Sequence, residues 1–501
     1  MAQGILPFKY ELERSEAGMT ALAGLPLYLD LAKVVGLSRS IQRHLRVRDK
    51  GQGWTDGQVV MALIMLNLAG GEHVEDLRGL EEDEGWCRIL RQVEMHGLKR
   101  KVRRVLERRW RKERRRTVAS PSAVFRYLAS FHDRGEEQVR RAGKAFIPRA
   151  NAHLGGMAKV NQDMMASMQS RSPQKTATLV ATLKAAALYG YQHFKAYQPL
   201  NTYWAEQGVV LHSEFRDGNV PAGYEQLRVL KEALTLLPEG VESIRLRSDT
   251  AGYQHDLLRY CEMGENERFG RIEFAISCDV TEEFKKAVRQ VAESEWQPIN
   301  REENGERVQT GREWAEVCFV PNKISHSKHG LEYRYLATRE VLRQLDLPGM
   351  EEQAKLPFQT LELNRQRYKI FGIVTNMDWE GERLIVWQQD RCGKSEEVHK
   401  VMKEDLAGGK LPSGDFGENA AWWWIMVLSL NLNVIMKRLV LGQGWVGKRM
   451  KAIRFGVICL PGRILSHARG LVIRLGKQCS AYRVLIEARK TIAQLAQAPS
   501  G

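Results

Sequence analysis

Residues 176–190 read "TATLVATLKAAALYG". Threonine and apolar residues alternate through Leu183, the period-two pattern of a strand with one buried face. From Met164 to Ala205 the chain holds no Asp or Glu. A strand here is therefore expected to be present but to carry no acid.

The texture continues outward from this stretch. "GVVLHSEF" (208–215) reads as a second strand and runs into the turn-rich "RDGNVPAG". "GYEQLRVLKEALTLLP" (223–238) reads as a helix, and "VESIRLRSD" (241–249) as a β-branched strand closing on Asp249. "YQHDLLRYCE", "RIEFAISCD" and "TEEFKKAVRQVAESEW" follow as helix, strand, helix. Strands followed by strand–helix alternation predict an α/β sheet covered by helices. Residues 297–365 interrupt the alternation with polar, turn-rich sequence and short strands such as "AEVCFV" and "EYRYLA", read as an insertion. "YKIFGIVTN" returns to strand, and "SEEVHKVMKEDLAGG" reads as a helix capped by Ser395 and ended at Gly408-Gly409.

The flanks differ. Residues 1–150 read as helices: "TDGQVVMALIMLNLAGG" starts at a Thr-Asp cap and stops at Gly70-Gly71, and "SPSAVFRYLASFHD" has Ser120 as cap and Pro121 at the first helical position. The latter is compatible with a helix-turn-helix reader that leaves Arg126 outside. The region after residue 430 reads as helical and basic. "AAWWWIMVLSLNLNVIM" is interrupted by Asn431 and Asn433 and reads as a buried helix. No other apolar run approaches the ~20 residues of a membrane span, and the start shows no signal-peptide core.

The formal charge is +16 and is concentrated. Residues 99–116, "KRKVRRVLERRWRKERRR", hold twelve Lys or Arg against two Glu, and residues 437–490 hold thirteen against Glu487 alone. Two basic islands on a mildly acidic body point to a polyanion held at particular places, with double-stranded DNA the expected partner. Lys99, Arg100, Arg108, Arg109, Arg111 and Arg126 are the candidate DNA contacts. The seven cysteines are scattered without a C-x-x-C pair, which argues against a zinc module or a disulfide framework and for a reducing compartment.

Two carboxylates suggest chemistry. Asp249 ends a strand among small neighbours, where ligands of α/β sheets collect, although it also fits a cap of the next helix. Glu396, Lys400 and Lys403 fall at i, i+4 and i+7, so one helix face would offer a metal ligand and two phosphate-binding ammonium groups. The same spacing suits an ordinary surface ion pair. Arg391 stands just before that predicted helix, as a phosphate clamp or a plain surface charge.

Taken together, "EFRDGNVPAG", "RSDTAGYQ", the polar insertion and "RCGKSEEVHKVMKEDLAGGKLPSG" before an Asn- and Trp-rich helix resemble bacterial insertion-sequence transposases of the Asp-Asp-Glu class. The resemblance spans about 10 to 490. It implies a ribonuclease-H-like core, DNA cleavage and strand transfer during DNA transposition, Mg²⁺ (or Mn²⁺) as cofactor, element terminal inverted repeats and target DNA as partners, a homodimer on DNA, and a cytoplasmic, nucleoid-associated location. The implied partition is a helical DNA-binding region 1–150, core 175–295, a β-rich insertion 296–365, core 366–430, and a basic helical region 431–501. Asp249 matches the family's second carboxylate and Glu396 its glutamate, both as catalytic and metal-binding residues, with Glu397 as runner-up. Lys403 matches the basic position that follows. Arg391 falls near the family's arginine, one residue away from its commonest spacing.

The departure lies in the opening stretch. The family's first aspartate belongs to a segment resembling T-L-D-x-D-A-T-L-V-E, whereas here Thr178-Leu179 runs directly into Val180-Ala181-Thr182-Leu183, as though about six residues were lost. Asp163 is the nearest upstream acid but reads as part of a helix before the sheet. Without the bridging aspartate at least one ion is expected to bind weakly. The rival readings are a DNA-binding protein that no longer cuts and an RNA-processing ribonuclease-H relative.

Overall fold

The computed structural model describes residues 18–48, 53–112, 116–139, 146–182, 197–303, 305–321, 332–342, 358–467 and 470–497. Contacts gather the chain into a helical unit (Met1–Val139, Arg149–Ser172 and Lys400–Gly501) and a sheet unit (Arg140–Pro148 and Pro173–His399).

Local rules set the helix ends in the helical unit. Thr55 caps the helix Asp56–Ala69 in a reciprocal capping box with Gln58, and Gly70 ends it in the left-handed region. Ser120 accepts from Ala123 N ahead of the helix Pro121–Leu128, with Pro121 at the start as expected. The apolar helix Phe416–Ile435 is the hub, packed against Asp56–Ala69, Pro121–Leu128 and Ala152–Arg171. Its length and hydropathy would suit a membrane span, but it is buried within this unit. Its asparagines are paired inside: Asn431 Nδ2 donates to Asn161 Oδ1 at 2.7 Å, and Tyr28 Oη donates to Asn433 Oδ1 at 2.7 Å. In a dry interior such pairs fix register, because an unmade bond there costs more than a made one contributes.

The basic C-terminal region is helical over Tyr482–Gln497 and also holds a hairpin that the sequence reading did not anticipate. Strands β12 (Gly462–His467) and β13 (Gly470–Leu475) pair antiparallel, and the two-residue β1 (Met19–Thr20) adds to β12. "GRILSH" and "GLVIRL" contribute Ile464, Val472 and Ile473 to the pairing, with Ile464 opposite Ile473.

The sheet unit is built from β2 (Thr176–Thr182), β3 (Leu200–Trp204), β4 (Val209–Glu214), β5 (Ser243–Ser248), β6 (Glu273–Cys278), β7 (Gln297–Glu303), β8 (Glu306–Val317), β9 (Arg334–Val341), β10 (Thr360–Leu363) and β11 (Gln366–Thr375). Their order is β4-β3-β2-β5-β6-β11-β9-β8-β7, with β10 on β11. β2, β3 and β4 form an antiparallel meander, while β2, β5 and β6 run parallel. The strand reading predicted the α/β sheet, and this strand order is the ribonuclease-H-like arrangement that the resemblance implied. The inserted strands continue the same sheet, because β11 pairs antiparallel with both β6 and β9. An otherwise open edge of β6 is thereby covered.

Gly372 sits at that seam, level with Cys278 of β6 and Ala337 of β9. A Cβ there would overlap Cys278 Sγ and come within 2.9 Å of Phe284. Gly372→Ala is expected to destabilise the protein by about 1–3 kcal/mol through overpacking, read as a lower denaturation midpoint with unchanged slope. Arg126→Ala on the exposed face of Pro121–Leu128 should stay within about 0.5 kcal/mol of the parent.

Candidate active site

β5 ends at Ser248, and Asp249 follows in extended backbone as the cap of a short turn, its Oδ1 accepting Ala251 N at 3.0 Å. Both sequence readings of Asp249, strand end and cap, are thus realised at once. The helix Gly381–Lys400 packs on this end of the sheet through Leu384, Ile385 and Gln388. Buried Gln388 donates from Nε2 to Ser248 O at 3.2 Å and to Ser277 Oγ at 3.0 Å. One turn on, Arg391 Nη2 reaches Ser277 Oγ at 3.4 Å. Burial pushes the Asp249 carboxyl above its ordinary range, while the charge of Arg391 and the Ala251 N–H pull it back.

The helix corrects one expectation. It starts at Gly381 and runs through Ser395, which is therefore not a cap. A π turn, Val401–Asp405, follows it, so the i+7 rule does not carry Lys403 onto the face of Glu396. Lys400 and Lys403 are exposed and belong to the helical unit. At about 100° per residue, Glu397 lies opposite the inward-facing Gln388. Glu397 is exposed, which disfavours the runner-up. The Glu396 side chain lies outside the described residues; its backbone stands about 7.5 Å beyond Arg391 along the helix axis.

Register gives the neighbours of Asp249. β2 pairs with β5 as Val180↔Arg247 and Ala181↔Ser248, so the next level aligns Thr182 with Asp249. β5 pairs with β6 as Ser248↔Ile276, so Ser277 flanks Asp249 on the other side. Alternation puts Val180 on the face of Arg247, the face that Asp249 continues. No β2 residue is acidic. Glu206 does not fill the gap: its Oε2 accepts Thr178 N at 2.8 Å, and Thr178 lies about 13 Å before Thr182 along the strand. Asp163 is held in the helical unit by Ser40 Oγ at 2.7 Å and His44 Nε2 at 3.1 Å. Asp279 is exposed after β6, beside a cavity shared with Tyr253, Asp256 and Glu283.

Among the described residues no three His, Cys, Asp or Glu side chains converge as a metal site. Among the described residues, those beside Asp249 are a guanidinium and a serine hydroxyl. That donor set does not fit two divalent ions, whose roughly four positive charges need several carboxylates to offset them.

Sequence reasoning missed Gln388, Ser277 and Arg247. Arg247 is buried on the Asp249 face, donates from Nη1 to Trp387 O, and lies 5.1 Å from the Trp387 ring centre. An arginine two residues before a strand-end acid was the available signal, but its burial was not visible. Of the expected DNA contacts, Lys99, Arg100 and Arg126 are exposed. Arg108, Arg109 and Arg111 lie on the helix Arg100–Lys112, with side chains outside the description.

A family model described as transposase DDE domain group 1 matches residues 10–497. The chain is a member of this transposase family. Membership supports a role in DNA transposition and, for the family in general, dependence on a divalent metal. No curated protein matches the chain. Among solved structures, the piggyBac transposase synaptic complex with hairpin DNA aligns over 97% of this chain and 85% of its own, at 10% identity and a TM-score of 0.37. That likeness is too loose to carry residue roles onto this transposase-family chain.

Because folding lifts the Asp249 pKa, this residue favours the folded state below its unfolded pKa, and that contribution is lost as pH rises through the folded value. Asp249→Asn keeps an acceptor for Ala251 N without the charge. It is expected to be more stable than the parent at neutral pH, with the gap closing as pH falls through the carboxylate range. Parallel denaturation curves across pH measure this, and a gap that widens in acid would refute it.

Proposed function

We propose that this chain binds the ends of an insertion element as a transposase-family protein whose own cleavage centre is impaired. The carrying observation is that β2, paired in register with β5 up to the level before Asp249, holds no acidic residue. Family membership supports the DNA role, and the basic islands support grip on duplex DNA. Asp249 and Glu396 remain the proposed carboxylates, with Mg²⁺ (or Mn²⁺) held weakly at most. Arg391, Lys400, Lys403 and the residues of the 99–116 island are the proposed phosphate contacts, and a homodimer on DNA is the proposed assembly. With a charge-stabilising group missing, strand cleavage is expected to fall at least about 10²–10³-fold below that of a complete site.

The test is excision of a cognate element from a plasmid, run beside duplex binding. The chain as written should bind and excise barely, and Thr182→Asp or the pair Val180→Asp with Thr182→Asp should raise excision while binding stays level. Robust excision by the unaltered chain, abolished by Asp249→Asn, would instead establish an active enzyme. Cleavage of RNA–DNA hybrids without duplex binding would favour the ribonuclease reading.

A further inference from the structure

Phe455 is the most exposed large apolar side chain among the described residues, at 86%. A single exposed apolar residue on a mobile loop would mean little, but this one stands on a braced turn. It occupies a π-helical turn, Arg454–Ile458, a rare geometry that recurs at functional sites. Its neighbour Arg454 points inward and is pinned, with Nε donating to Leu68 O at 3.0 Å and Nη2 donating to Asn67 O at 2.7 Å and to Asp405 O. On the other side, Gly456 leaves room for Trp445, whose ring would lie 3.2 Å from any Cβ there. Val457 and Ile458 are buried. The backbone is held from beneath and from the side, and Phe455 alone projects.

The surroundings are cationic. Lys448 and Lys451 are exposed, and Lys448 Nζ lies 4.3 Å from the Trp445 ring centre. No acid occurs between residues 437 and 486. In space, Glu404 lies nearby, but it and the buried Asp405 are both engaged by Arg449, at 3.5 and 3.3 Å, so the lysines carry the outward charge. A protein partner would favour a wider apolar patch, since interface cores are depleted of Lys. An exposed aromatic ring on a segment with two exposed lysines matches nucleic acid, where phosphates meet the lysines and a base step meets the ring.

We propose that Phe455 is a stacking wedge for double-stranded DNA, seated by Lys448 and Lys451. Its rigidity limits the ordering cost on binding, and insertion between base steps would kink the duplex. The proposal rests on the DNA-binding reading above and deepens it by naming a contact and its mode.

The experiment uses the full chain and a mixed-sequence duplex with a donor–acceptor dye pair at its ends, so that affinity and bend are read together. Phe455→Ala should fold as the parent does, bind about tenfold more weakly, lose the bend, and keep the salt dependence of binding. Phe455→Trp should restore affinity and bend. Lys448→Ala and Lys451→Ala should each lower the slope of log affinity against log salt by about 0.9. Unchanged affinity and bend in Phe455→Ala would overturn the wedge while leaving DNA binding intact. Loss of self-association in sedimentation, with DNA bending preserved, would overturn it in favour of a contact between copies. A parent chain that ignores the duplex would remove the DNA-binding reading and the wedge with it.

Discussion

The parallel pairing of β2 with β5 is the constraint on which the chemistry of the sheet unit depends. In a parallel pair, residues at one level present side chains to the same face. The Val180↔Arg247 and Ala181↔Ser248 pairs therefore decide what stands beside Asp249. A two-residue slip would change the neighbour but not the face, and no slip along "TATLVAT" would bring up an acid. The fold is thus intact at the place where its charge complement is thinnest.

Around that place the structure supplies cations and neutral polar groups. Gln388 ties the helix Gly381–Lys400 to the ends of β5 and β6, and Arg391 brings a guanidinium to Asp249 and Ser277. Arg247 adds a second buried guanidinium on the same face. Guanidinium groups compensate a lone carboxylate and bind phosphate well. They do not substitute for carboxylates as ligands of a hard cation, which takes oxygen donors.

The helical unit divides its labour differently. Its buried polar pairs, Asn431 with Asn161 and Tyr28 with Asn433, lock the hub helix in register. Arg454 belongs to both roles: it satisfies carbonyls at the end of Asp56–Ala69, and in doing so it fixes the turn that carries Phe455 outward.

Much of this was legible in the amino-acid sequence. Thr55, Ser120 and Gly70 declared helix ends because capping is a local exchange between neighbouring residues. Alternation declared β2, β4 and β6 and the end of β5 at Asp249, but not β3, and the missing acids of the opening stretch needed no coordinates. Other features were decided only in three dimensions. Ser395 looks like a cap, yet the helix runs through it, because Leu384, Ile385 and Gln388 anchor the preceding turns on the sheet. The hairpin of β12 and β13 is stabilised by a pairing that the sequence alone does not display. Gln388 and Arg247 became functional candidates only through burial, and Thr182 only through its level beside Asp249. The chain alone determines which groups exist and which local geometry they favour. Long-range pairing determines which of them meet, because register and burial depend on residues far apart along the chain.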